Sequence, residues 1–347
     1  MNSRLVFFPL VICTAVFFLV CITGCRNTIL SGPRLRENPA ANPQSPVSEN
    51  PAWYVSVNGK TSGRDPARSV ASVQGALDSI RSLYRKGKWP AGKSAVIVIS
   101  GTITGSGSFG PNRSMIDISG AGNYPPIILE GDPMNAGVLN ANRNRNNEGR
   151  VLYIANNKVT LGSNLTLTGG YSLWGGAVCV GTAGSASDGE FIITGGEISG
   201  NTAGLGGGVL VYKGAMTMTG GVIKNNINTD SYSGVKGSGA GVYLYEYNSF
   251  TMNGGTISGN GGAATENGGG VLADGHAVFT MSGGEILRNT SSLHGGGVHV
   301  GPYGKFVMTG GTISGNSSAE AGGVYTSPYK AVFTQSGGTV SGNTPAP

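Results

Sequence analysis

Charge is scarce in this chain. Asp, Glu, Lys and Arg make up 12% of its 347 residues, against about a quarter in an ordinary soluble protein. The formal excess of +6 resembles a nucleic-acid signal until it is divided by region. Residues 26 to 164 carry 16 basic against 8 acidic side chains, and residues 165 to 347 carry 6 against 9. A nucleic-acid binder concentrates base on the element that docks, so that class is excluded as a partner. Histidine occurs only at 276, 294 and 299, too scattered for a zinc site. No cofactor or metal is expected. The four cysteines are Cys13, Cys21, Cys25 and Cys179, so any product shortened past Cys21 keeps few thiols for a disulfide framework.

A long apolar run occurs once, from Leu5 to Ile22 behind Arg4. It has the charged start and hydrophobic middle of a secretory signal. Its end, Ile22-Thr23-Gly24-Cys25, resembles the bacterial lipobox. That resemblance implies cleavage after Gly24 and lipid on the Cys25 sulfur, leaving Cys179 alone in the folded part. The rival is an uncleaved anchor, since about 17 residues suffice to span a bilayer. The short segment, Pro9 and the Gly-Cys end favour the lipobox. Both readings place the remainder outside the cytoplasm, in the cell envelope, at the outer membrane or cell surface. Residues 25 to 52 hold five prolines among polar residues and read as a tether, with a reach of about 30 Å as a flexible coil.

Glycine is plentiful, at 62 residues, without a Gly-X-Y period, which excludes collagen. From residue 191 one pattern recurs. Phe191-x-Ile193-x-Gly195-Gly196-x-Ile198-x-x-Asn201 is followed by Gly206-Gly207-Gly208-Val209-x-Val211. Gly-Gly pairs begin at 195, 220, 254, 283, 310 and 337, a period that implies a solenoid or a propeller. Each copy holds three short alternating segments, which predicts an all-β, three-sided, right-handed parallel β-helix, since a propeller blade needs four strands. Length varies only between the Gly-Gly pair and the triple glycine, so insertions are expected at one corner. Asn201, Asn226, Asn260, Asn289, Asn316 and Asn343 recur at a shared corner and predict an amide ladder.

Residues 53 to 164 are read as an N-terminal cap with irregular first coils, and 165 to 347 as the regular repeats. A helix opened by Asp65-Pro66, with Val70, Val73, Leu77, Ile80 and Tyr84 on one stripe, is expected to cover the first coil. Strands are expected at Ala95 to Ser100, Ile127 to Glu130 and Val151 to Ile154. At the far end Gln335 replaces the repeated Met, and Pro345 and Pro347 follow, which reads as a blunted edge.

The G-G-x-V and I-x-x-N blocks resemble the repeats of bacterial polymorphic outer-membrane proteins. The whole is similar to secreted β-helix lipoproteins of the pectate-lyase-like superfamily. The resemblance implies a surface β-helix with a role in adhesion to a polysaccharide or a host or cell-surface protein, anchored to the membrane by lipid. Tyr212, Tyr243, Tyr245, His299 and Tyr325 alternate with inward residues, and are expected as an exposed aromatic binding face. The rival function is a polysaccharide lyase or glycosidase whose site would draw on Asp117, Glu130, Asp132, Arg143, Arg145 and Arg150, because such chemistry needs carboxylates or basic groups converging on one groove. Asn228-Thr229-Asp230 resembles a polygalacturonase motif without its companions and is read as chance.

Overall fold

A computed structural model describes residues 50–56, 69–70, 72–109, 112–120, 122–181, 188–229 and 236–345. The expected signal, Cys25, most of the tether, Asp65-Pro66 and Asp230 lie outside the described residues. What is described is a parallel β-solenoid of about eight turns.

Each regular coil contributes three short strands, one to each of three faces. Phe191, Met216, Phe250, Phe279 and Phe306 line one face, Ile198, Ile223, Ile257, Ile286 and Ile313 the next, and paired valines such as Val209 and Val211 the third. We call these the Phe, Ile and Val faces. Equivalent residues pair in register, for example Phe250 with Phe279 and Ile257 with Ile286. Period-two alternation turns these side chains inward, and nearly all are fully buried in one core. Rings 250, 279, 306 and 333 stack at 4.6–4.9 Å between centroids, the spacing set by adjacent strands.

The asparagines bond from coil to coil. Asn260 Nδ2 donates to Asn289 Oδ1 at 2.9 Å and to Ile223 O at 2.9 Å, while its own Oδ1 accepts from the backbone and side-chain nitrogens of Asn226. The same pattern joins Asn201 through Asn343. It begins where Gly170 N donates to Asn201 Oδ1 at 3.0 Å. Gly170 admits no side chain, because a Cβ there would collide with Gly176 O.

The first coils are built differently. Strands Ala52–Ser56, Ala95–Thr104 and Ile127–Gly131 pair in parallel over an aliphatic core including Ile97 and Leu129. One helix, Val73–Arg85, is capped by Ser72, whose side chain accepts from Gly75 N. It begins later than the Asp65-Pro66 start expected from sequence, and Val70 sits in the short strand Ser69–Val70. The Ser72 hydroxyl gives the orphan N–H groups of the first turn a side-chain acceptor. Val73, Ala76, Leu77 and Ile80 of the helix join the main core.

The variable corner forms structure of its own. Tyr171–Trp174, Thr202–Leu205, Gly237–Ser238 and Thr265–Asn267 make a further parallel sheet. Trp174 and Leu205 from this sheet pack against outward residues of the Val face, and this decides the character of that face.

Candidate functional site

The outward column of the Val face runs through Tyr153, Cys179, Leu210, Tyr243, Leu272, His299 and Tyr325. Most of it is a second small core. Tyr153, Cys179, Leu210, Tyr243 and Leu272 are buried together. Two residues expected on an exposed platform are therefore covered, with Tyr243 at 6% and His299 at 7% exposure. The alternation put them outside the main core, but corner segments lie over them. Burial pushes the Tyr243 hydroxyl well above its ordinary range. Burial also pushes His299 down to about 4, with the adjacent His294 adding to the effect.

Tyr212 and Tyr245, two residues beyond Leu210 and Tyr243 of that column, remain partly exposed. Their rings stack at 4.7 Å, and Trp174 stacks on Tyr212 at 5.7 Å. Buried Asn248 holds this corner: its Oδ1 accepts from Gly214 N at 2.7 Å, and its Nδ2 donates to Tyr212 O at 2.9 Å and to Tyr245 O. An apolar hollow of about 260 Å³ is lined by Trp174, Leu205, Leu210, Tyr212 and Tyr245. A polar hollow of about 310 Å³ is lined by Asp188, Lys213, Glu246, Tyr247, Asn248 and the same two tyrosines. The two share Tyr212 and Tyr245, so apolar and charged walls meet at one pair of rings.

Tyr325 lies apart, at the far end of the Val face, 4.9 Å from the ring of His299 and 4.3 Å from that of His294. His294 Nδ1 shares a hydrogen bond with Asn267 Oδ1 at 2.8 Å. The five expected residues thus divide into an open pair, a covered pair and one distant ring.

No protein-family model, curated protein or solved structure matches this chain. What the site can do is read from its own chemistry.

The groups named for catalysis do not meet. Asp117 belongs to the outward Val-face column and accepts from Asn112 Nδ2 at 2.7 Å. Glu130 is on the Phe face, beside Val98. Asp132 lies just beyond that strand, its Oδ1 accepting from Met134 N. Arg143 is buried with its guanidinium 3.4 Å above the Phe109 ring, and donates to Gly107 O. Arg150 is buried and donates to Ser172 Oγ at 3.1 Å, while Arg145 is exposed. Among the described residues no group of three or more His, Cys, Asp or Glu side chains is placed to hold a metal ion.

A carboxylate pair arises elsewhere. Leu244 pairs with Ala273, so Glu246 lies one coil from Gly275 and next to Asp274. Asp274 Oδ1 accepts from Gly275 N at 2.9 Å, and its Oδ2 accepts from the Tyr243 hydroxyl at 3.4 Å. Burial raises the Asp274 carboxyl above its usual range, and repulsion from Glu246 works in the same direction. The sequence signal was the shared position of Glu246 and Gly275 after the Val strand, visible only once the corners are aligned.

Proposed function

We propose that the chain is a lipid-anchored cell-envelope protein whose β-helix binds a polysaccharide or a partner protein at the cell surface. The observation that carries the binding role is the pair of hollows, one apolar and one charged, that share Tyr212 and Tyr245 as lining residues. A mostly apolar cavity with a few fixed polar groups is the usual form of a ligand site. The hollows rest on stacked strands and on Asn248, so little ordering cost falls on binding. The lipid attachment rests on Ile22-Thr23-Gly24-Cys25 behind the apolar run. The resemblance to polymorphic outer-membrane proteins supports the adhesive role.

The test is binding of the purified protein to a polysaccharide panel and to cell surfaces. Tyr212→Ala with Tyr245→Ala is expected to weaken binding at least tenfold, the equivalent of about 1.4 kcal/mol, with unchanged circular dichroism. Full binding by this double variant removes the hollows from consideration. Cys25→Ala is expected to stop incorporation of labelled palmitate, and continued labelling removes the lipobox reading.

A second reading, a carbohydrate-active enzyme, is favoured by Asp274 and Glu246 instead of the carboxylates before residue 165. A carboxyl raised above its usual range beside a second carboxyl is an arrangement that paired acid and base work can use. Turnover of any panel member that disappears in Asp274→Asn, while binding persists, selects this reading.

A further inference from the structure

Eight large apolar side chains are well exposed among the described residues, and five of them, Tyr247, Val278, Tyr303, Tyr329 and Val332, lie along one corner. This is the turn from the Val face to the Phe face in the last four coils. Val278, Lys305 and Val332 pair in register at the start of successive Phe-face strands. Just before them Tyr247, His276 and Tyr303 form a column, with centroids 4.8 Å apart at each step. Lys330 continues it, its Nζ 5.7 Å from the Tyr303 ring centre.

The fold does not require these side chains. Tyr247, His276, Tyr303 and Lys330 all have left-handed backbone, with φ of 54°, 70°, 61° and 56°. Glycine adopts that conformation freely, whereas a side chain there is strained. The chain uses glycine for this purpose at many other corners. Rings and a lysine at four consecutive turns therefore carry a local backbone cost, and they face solvent, with their contacts to one another as the packing that offsets it.

We infer that this ribbon lies on an anionic lipid surface. Tyrosine rings suit the boundary between water and acyl chains, because one end is apolar and the other forms hydrogen bonds. Val278 and Val332 supply apolar tips beside them. Lys305 and Lys330 have no carboxylate partner among the described residues, so their charge is available to lipid headgroups while their stems follow the apolar edge. Ring geometry argues against a sugar here. Stacking turns the faces of the rings toward one another, and a sugar needs an open face. A membrane accepts the exposed edges. The ribbon begins at Tyr247, which also borders the polar hollow, but shares no residue with the apolar hollow; it would hold the solenoid lengthwise against the bilayer and leave the apolar hollow to a ligand.

The experiment is flotation of the purified full-length protein with phosphatidylcholine vesicles, with and without phosphatidylglycerol. Anionic lipid is expected to raise partitioning roughly tenfold or more, the gain two lysines provide near an anionic surface, and raised salt should reverse it. Lys305→Gln with Lys330→Gln is expected to abolish that gain. Tyr303→Asn with Tyr329→Ser is expected to lower partitioning on both vesicle types, since asparagine accepts left-handed backbone. An acyl anchor acts on both vesicle types alike, so its absence appears as lost binding to neutral vesicles and leaves the anionic gain intact. Equal partitioning on the two vesicle types overturns the inference. So does an unchanged gain in the lysine variant, or loss by these variants of binding to an acidic polysaccharide alone.

Discussion

From Ala52 to Thr168 the coils stack through aliphatic side chains beneath one helix, and each junction is closed by a different device. Trp53 stacks on Trp89 at 5.5 Å, Arg143 lies over Phe109, and Arg150 reaches Ser172. From Gly189 onward one device is repeated: a phenylalanine or methionine on one face, an isoleucine or valine on the next, a valine opening the strand of the third and an asparagine at the corner. The same fold is thus maintained in two ways. In the first coils stability depends on particular contacts. In the later ones a side chain is supported by copies of itself above and below, so a single loss is felt by both neighbours.

Breaking the phenylalanine column should show this most strongly. Phe279→Ala removes a fully buried ring stacked on both sides and is expected to cost about 3 to 5 kcal/mol, read as a fall in the midpoint of denaturant unfolding. Both neighbouring rings lose a partner, so the loss should lie at the upper end of that range. Leu129→Ala in the first coils, with no ring partners, should fall lower in it. Comparable losses at the two sites would erase the distinction.

The corner position gives a closer contrast. Asn260→Ala takes the side-chain donor from the Ile223 carbonyl and the acceptor from the Asn226 backbone N–H, while Asn289 Oδ1 keeps the backbone N–H of residue 260. At about 1 to 3 kcal/mol for each unsatisfied buried group, it should cost about 2 kcal/mol or more. Asn142 lies at the corresponding corner of an earlier coil, two residues past the last registered pair, Asn140 with Thr168, but it is exposed and left-handed, with φ of 54°. Asn142→Gly should leave the melting temperature nearly unchanged.

Acid sharpens the comparison from another side. His299 has a folded pKa of about 4, below its ordinary value of 6.5, so the unfolded chain takes up a proton before the folded one does. Stability is complete above about pH 6.5 and is lost as pH falls from there toward 4, by about 3 kcal/mol in all. His299→Leu, matching Leu210 and Leu272 of the same column, should flatten that part of the pH profile. An unchanged profile would assign the acid lability to other groups.

The smallest effect expected is a gain. Lys330→Gly relieves left-handed backbone and should raise stability by up to about 1 kcal/mol. Asn156→Gly in the first coils, where φ is 58°, should do less, since asparagine already tolerates that conformation. Paired thermal melts would distinguish them.

Much of this architecture was legible because repetition multiplies a weak signal. One F-x-M or G-G-x-V segment says little, but six in order define strands, facing and register. The start of the helix was misplaced because Asp65-Pro66 and Ser72 are both good capping signals by sequence, and the chain caps at Ser72. The binding face was only partly legible. Tyr212 and Tyr245 do border the two hollows, yet Tyr243 and His299 are covered, and Trp174 and Leu205 were not anticipated because they belong to corner segments that vary from copy to copy.

The sequence by itself determined the period, the three faces, the direction each strand residue points and the corners where glycine and asparagine recur, since these follow from local alternation and from backbone conformations few residues accept. Only the tertiary structure decided which outward residues meet solvent. Alternation specifies the side of a strand, but what lies over that side depends on segments of irregular length folding back from other coils. Their placement is set by packing between distant residues, on which no local pattern bears.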